Sequence, residues 1–285
     1  MRIPPARLLA SAVTSVGAFA IAALALLVTG IGATHAQAHD PLRSASGGGI
    51  RAVDDALARL GEHRRLLMIA AHPDDEDTFL LTLVERAQHG EAAYLSLSRG
   101  DGGQNLIGEE LGVGLGLLRS RELEAARRVD GAEQYFGSTY DFGFTRSLEE
   151  TLERWPRAVM LEEAMEVVRR HRPQVLVTVF PSTPAAGHGQ HQASGLVAEE
   201  IFELSRLDED PFPQLGLEPW PVESFFRAAW FRPQQATLRL PLGELDPYEG
   251  RSVFQTALLS RSQHRCQDMG FEQPPGDAEG AVTWL

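Results

Sequence analysis

The run Leu66-Leu67-Met68-Ile69-Ala70-Ala71 passes directly into His72-Pro73-Asp74-Asp75-Glu76-Asp77, and the reading of this junction decides the fold. Six apolar residues in a row lack the alternation of a half-solvated strand. They read as a strand buried on both faces, as in a parallel sheet. The acidic residues that follow open a periodic segment over about 78–89, where carboxylates meet a helix N-terminus. The junction is strand, tight turn, helix.

Working outward, the same grammar recurs. A strand is predicted over 92–98, then a glycine-rich loop over 99–116 and a helix over 117–130 that stops at Gly131. A helix over 157–172 leads through Pro173 into the apolar strand Val175-Leu176-Val177-Thr178-Val179-Phe180, and after a loop at 181–189 a further helix runs from His191 to about Ser205. The last strand expected is 224–231, and a short amphipathic helix over 51–63 precedes the whole. Strands alternating with helices predict an α/β fold, a Rossmann-like open and mostly parallel sheet with helices on both faces. In such sheets ligands bind beyond the carboxyl ends of the strands. The two polar loops 72–77 and 187–191 each lie just past the end of an apolar strand.

Composition narrows the function. The chain has 285 residues, 43% of them hydrophobic, enough for one substantial core. Its formal net charge is -13, and all 26 basic residues are arginine. Without lysine there is no P-loop, Schiff-base or Ser-Lys chemistry. The acidic balance argues against a nucleic-acid partner and against docking on an anionic membrane. Arg2 and Arg7, the apolar stretch 8–33 and Ala36-Gln37-Ala38 read as a signal peptide cleaved after Ala38, so that the domain is exported to a periplasm, cell envelope or medium. An uncleaved anchor is the competing reading of this stretch; cleavage predicts no stable membrane insertion. A linker and the N-terminal helix then fill 39–63, the main domain 64–239, and a C-terminal extension 240–285, whose ending without a polar tail is expected to lead into a further domain. The single cysteine, Cys266, excludes an internal disulfide and is expected to be a small apolar group.

The chemistry is expected at the two loops. His72 and Asp75 stand three apart in a turn entering a helix and can converge on one ion, and His188 and His191 share that spacing. Two imidazoles and a carboxylate are a common protein set for catalytic zinc, leaving a fourth position for water. A purely structural reading would make Asp74 and Asp75 helix caps, but it gives His72 no role. Gly112-Val113-Gly114-Leu115-Gly116 lacks the spacing of a dinucleotide loop and has no strand directly before it.

The stretch Ala71-His72-Pro73-Asp74-Asp75-Glu76 resembles the signature of the PIG-L/LmbE-like family of metal-dependent N-acetylglucosaminyl deacetylases. Arg99-Gly100-Asp101-Gly102-Gly103, Leu118-Arg119-Ser120-Arg121-Glu122 and His188-Gly189-Gln190-His191 extend the likeness over about 64–205; Gln190 stands where an aspartate is frequent. The resemblance implies zinc on His72, Asp75 and His191, with other divalent metals such as Fe2+ able to substitute. It implies Asp74 as general base and Arg119 and Asp141 as contacts to an amino-sugar substrate; His188, if protonated, can donate to the oxyanion that attack generates. Charge pairing with Glu122 is the alternative role for Arg119. The activity implied is hydrolysis of an N-acetyl group from an N-acetylglucosamine-type substrate. Competing readings are a zinc amidase acting on a larger acyl or thiol-conjugate amide, and a carbohydrate-binding domain without chemistry. A phosphatase of the D-x-D-x-T type is excluded, because Thr78 comes one place too early after Asp75 and Asp77.

Overall fold

A computed structural model describes residues 49–229, 232–270 and 281–285. Five strands form the central sheet: β1 (Arg65–Ala70), β2 (Glu91–Ser96), β3 (Glu133–Phe136), β4 (Val175–Thr178) and β5 (Ser224–Arg227). They lie in the order β3-β2-β1-β4-β5 and every pairing is parallel. The chain winds outward from β1 one way and then returns to add β4 on its other side. The crevice between the ends of β1 and β4 is thus the topological switch point where such folds place ligands.

The apolar run of β1 serves both faces of the sheet. Leu67, Ile69 and Ala71 join one core with Met160, Ala164 and Val168 of α5 (Arg157–His171) and Ala193, Val197 and Ile201 of α6 (Gly189–Leu204). Leu66, Met68 and Ala70 join the other with Leu80 and Leu81 of α2 (Thr78–Thr82) and Leu123 of α3 (Val113–Asp130). This is why the run shows no alternation: neither face sees water. α1 (Ile50–Arg59) precedes the sheet, and α4 (Leu148–Leu152) lies ahead of α5.

Several boundaries differ from expectation for local reasons. The helix predicted over 78–89 is a short α-helix that continues as a π-helical turn at Leu83–Ala87. There the buried Glu85 accepts from the backbone N–H of Ala92 and the guanidinium of Arg59, drawing the turn toward the sheet. β3 was not anticipated. The strand expected over 224–231 ends at Arg227, and Trp230 and Phe231 lie outside the described residues.

The boundary expected at residue 240 is not a seam. β6 (Arg239–Pro241) pairs antiparallel with β9 (Val282–Trp284), and β7 (Leu245–Asp246) pairs with β8 (Arg251–Ser252). α7 (Val253–Arg261) packs against α2 and α3, starting from a capping box of Ser252 and Gln255. The described residues form one compact unit. The leader expected at 1–38 and the linker expected before α1 fall outside the described residues. Among the described residues no helix is long and apolar enough to cross a membrane.

Candidate active site

His72 and Pro73 leave the end of β1, and the turn is tied on both sides. The backbone N–H of His72 donates to Asp75 Oδ2 at 2.8 Å, and Tyr94, buried on β2, donates its hydroxyl to the His72 carbonyl. The cap of α2 is Asp77, whose Oδ1 accepts from the N–H of Leu80 at 3.0 Å. Asp74 and Asp75 are therefore not caps and are released for other work. At the second loop His188 is the N-cap of α6, its Nδ1 accepting from the N–H of Gln190 at 3.3 Å. Gly189 lets the helix start close under the loop before α4, since a side chain there would collide with the Ser147 carbonyl.

The loops bring His72, Asp75 and His191 together. Asp75 Oδ2 lies 3.2 Å from His72 Nδ1, and Asp75 Oδ1 lies 3.4 Å from His191 Nε2. The remaining ring nitrogens show which way each lone pair points. His191 Nδ1 is 3.0 Å from the Ala186 carbonyl, an acceptor, so it carries the hydrogen and Nε2 is bare. His72 Nε2 meets Gln190 Oε1, and the Gln190 amide is oriented by donating its Nε2 to the Gly143 carbonyl at 3.1 Å. His72 therefore carries a hydrogen on Nε2 and turns Nδ1 to Asp75. Imidazole nitrogens facing one carboxylate need positive charge among them, a proton or a metal cation. Gln190, in place of aspartate, supplies this orienting bond without adding a charge.

The local electrostatics agree. Burial alone would lower the His72 pKa, but Asp75 outweighs it, and the imidazole is pushed up to about 9. Burial alone would raise Asp75, but His191 and His72 hold it well below the usual carboxylate range. The cluster attracts positive charge from either side. His188 behaves oppositely: burial and the neighbouring imidazoles His191 and His72 press it down to about 4. The protonated His188 expected from sequence is thus replaced by a neutral ring, with Nδ1 accepting and Nε2–H free to donate. Atoms of His72, His188 and His191 also lie within 4.8 Å of one another and could together hold a metal ion. The capping bond at Nδ1, which leaves a hydrogen on Nε2, favours Asp75 over His188 as the third ligand.

Residues 67–202 match the family model described as PIG-L, GlcNAc-PI de-N-acetylase. This chain carries a PIG-L domain. It is 30% identical over 173 residues to the 1D-myo-inositol 2-acetamido-2-deoxy-alpha-D-glucopyranoside deacetylase of Corynebacterium urealyticum, a match covering 53% of this chain and 51% of that one. A second such deacetylase, from Catenulispora acidiphila, is 31% identical over 47% of this chain and 43% of its own length. The chain spans about half the length of the curated relatives it matches. In fold, the N,N'-diacetylchitobiose deacetylase of Pyrococcus horikoshii aligns with a TM-score of 0.55 at 19% identity, over 77% of this chain and 80% of its own. The 4-carboxy-2-hydroxymuconate hydratase of Pseudomonas putida aligns at 0.53 and 15%, over 72% and 82%. The fold is therefore shared by proteins of different chemistry, and the residues must decide.

In the PIG-L domain Asp74 stands beside the cluster with φ 101°, a conformation unfavourable for any residue but glycine. It is held there from three directions. Its N–H donates to Glu76 Oε2 at 3.0 Å, its carbonyl accepts from Arg261 at 2.8 Å, and its Oδ1 pairs with Arg119 at 2.9 Å. Burial raises the Asp74 carboxyl, with Arg119 opposing. Glu76 is fully buried against His264 at 2.7 Å and Arg127 at 3.3 Å, and Arg127 continues to Asp130, which accepts from Ser260. A buried polar chain thus ties the 72–77 turn to α3 and α7.

Arg119 and Asp141, expected to contact substrate, are both buried. Arg119 spends its guanidinium on the Pro73 carbonyl, the Gly100 carbonyl and Asp74, and does not pair with Glu122. Asp141 accepts from the N–H of Gly143 at 2.9 Å and lies 3.9 Å from His72 Nε2. Neither lines the cleft of about 990 Å³ that opens over Asp74, Asp75, His188 and His191. Its other walls include Phe144, Phe180, Arg227 at the end of β5, and Arg232 and Gln235 beyond it. Phe180 stacks on the His191 ring at 3.7 Å. No motif in the sequence singles out the β5 side. Cys266 is buried, its thiol pushed up to about 12 by burial and Glu122, and takes no part.

Proposed function

We propose that the PIG-L domain hydrolyses the N-acetyl amide of an N-acetylglucosamine-type substrate, with zinc bound by His72, Asp75 and His191. The observation that carries this reading is the convergence of two imidazole nitrogens on the Asp75 carboxylate, an arrangement that gathers positive charge and suits a metal cation. Zinc in that place would supply an acidified water and a Lewis acid for the amide carbonyl.

The protein's own groups account for the proton. Asp74, braced by Arg119 through one oxygen, keeps the other for the proton of the attacking water and returns it to the nitrogen as the C–N bond breaks. Its raised pKa suits a base that must give the proton back. Neutral His188 lines the cleft, and its Nε2–H would donate to the oxyanion formed on attack, a contribution of about 3 kcal/mol for a single donor. Phe144 and Phe180 provide an apolar wall beside the amide. The cleft of about 990 Å³ also has room for a longer acyl chain, which favours a second reading: an amidase with the same site and a larger acyl group. Acetate release from N-acetylglucosaminides with and without a chelator tests the first reading. A series of N-acyl chain lengths tests the second, which fails if kcat/KM falls steadily beyond acetyl.

The leader at 1–38 supports a further proposal, that the domain works after export. A mature N-terminus at His39 in the non-cytoplasmic fraction of producing cells would bear this out, and a cytoplasmic protein starting at Met1 would refute it.

A further inference from the structure

The residues matched to the family model end at 202, yet the 72–77 turn is gripped by side chains far beyond that point. The turn does little to hold itself, since the N–H of Asp75 reaches the His72 carbonyl only at 3.4 Å, a long bond. Three of its carbonyls are instead taken by arginines. Arg119, inside the matched region, donates to the Pro73 carbonyl at 2.6 Å. Arg261, the last residue of α7, donates through a single nitrogen, Nη1, to the Asp74 carbonyl at 2.8 Å and to the Glu76 carbonyl at 3.1 Å.

The two peptide planes that flank Asp74 are thus held by different arginines, Arg119 before it and Arg261 after it. Between them they keep a positive φ of 101° that a residue with a side chain adopts only under constraint. One nitrogen can serve carbonyls two residues apart only if the chain bends sharply between them, and the residue at that bend is Asp75. Arg119 also pairs with the Asp74 carboxylate, whereas Arg261 meets the backbone, so its contribution is geometric. Its own seat is firm. Ser260, one residue earlier, donates to the buried Asp130 of α3 at 2.6 Å, and Phe254 of α7 stacks on Phe79 of α2 with ring centroids 5.5 Å apart. The same part of the chain holds the rest of the turn: His264 meets Glu76, and Thr283 of β9 donates to Asp77 Oδ2 at 2.7 Å.

We infer that Arg261 is a positioning residue: by bridging the carbonyls of Asp74 and Glu76 it sets the poses of the base Asp74 and the metal ligand Asp75, so that α7 completes the reacting centre from outside the matched region. The inference rests on the zinc-hydrolase reading, and its test therefore reads zinc binding and turnover separately. Zinc affinity is measured by competition with a chromophoric chelator, and acetate release is measured from the methyl glycoside of N-acetylglucosamine at saturating zinc. Arg261→Ala is expected to bind zinc tenfold or more weakly and to lose tenfold or more in kcat with KM little changed, the scale for loss of a group that orients a metal ligand. Arg261→Lys, whose amine also donates to carbonyls, is expected to recover part of both losses. Guanidinium ion added to Arg261→Ala is expected to recover part of kcat, since the position opens on the cleft. Leu259→Ala, at an exposed site on the same helix, is expected to match the parent and controls for loosening of α7. Unchanged zinc affinity, unchanged kcat at saturating zinc, a loss confined to KM, or no recovery with either lysine or guanidinium overturns the inference. If Arg261→Ala does not fold, Arg261→Gln, too short to reach both carbonyls, carries the test with the same criteria. If the parent releases no acetate, the deacetylase reading fails on its own. Zinc affinity then decides the role of Arg261: a tenfold drop sustains it, and an unchanged value ends it.

Discussion

The two walls of the cleft are built differently. On the reacting side, every polar atom of the 72–77 turn that carries chemistry is backed by another: Asp74 by Arg119, Glu76 and Arg261, and Glu76 in turn by Arg127 and His264. On the opposite side, Arg227 and Arg232 stand exposed with no described partner. A wall that must hold a strained aspartate at φ 101° is over-determined, since such a conformation persists only when the surroundings enforce it. A wall that holds no strained residue needs no such bracing.

The comparison breaks most sharply at Asp74. Asp74→Ala is expected to retain metal while turnover falls by about 10³-fold or more, the scale of general acid–base catalysis. His72→Ala is expected to lose both. Metal content by mass spectrometry beside acetate release reads the two together, and full turnover in Asp74→Ala would remove the base from the mechanism.

Next in size is the support behind the turn. Arg127→Met takes the ion partner from the fully buried Asp130 and leaves Glu76 with His264 alone, and leaving a buried charge unpaired costs about 3–5 kcal/mol. For a chain of this size that is a fall in Tm of roughly 10 °C, measurable by calorimetry. An unchanged Tm would mean that the network behind the turn is not what supports it. His188→Ala follows, with kcat reduced by about 10²-fold and metal retained, as for a lost oxyanion donor. Loss of metal instead would make His188 a ligand and displace Asp75 from that role.

Much of this architecture was legible in the sequence, and the exceptions have physical reasons. β1 and β4 are apolar without interruption because both of their faces are covered, and the two loops after them were located from those runs alone. β3, Glu133-Gln134-Tyr135-Phe136, is a half-buried edge strand and shows no apolar run to read. Arg119 was weighed against a helical ion pair with Glu122, but the loop carbonyls of Pro73 and Gly100 and the side chain of Asp74 claim it. Such contacts link residues distant in sequence, and no local pattern encodes them. The segment after 240 was expected to be an extension, although Ser252-x-x-Gln255 is a readable capping box; its role behind Asp74 emerges only when α7 is packed on α3. The β5 wall was least legible: Arg227 and Arg232, two exposed arginines among 26, carry no signature in the sequence.

The smallest effect lies away from both walls and shows that burial of charge is not confined to the site. Glu85, on the π-helical turn, is buried and only partly compensated by the Ala92 N–H and Arg59, so burial raises its carboxyl to about 7. A carboxyl with a higher pKa folded than unfolded holds its proton preferentially in the folded chain. Its contribution is therefore fully present below the unfolded value of about 4.5 and is lost as pH rises through about 7. Glu85→Gln keeps an acceptor for Ala92 and removes the ionisation. Relative to the parent, the variant should gain stability as pH is raised from 5 to 8, by about 1–3 kcal/mol. Denaturant unfolding at several pH values reads this directly. Parallel curves for the two proteins would show that Glu85 ionises at its ordinary pH, and that the π-helical turn is set by backbone packing alone.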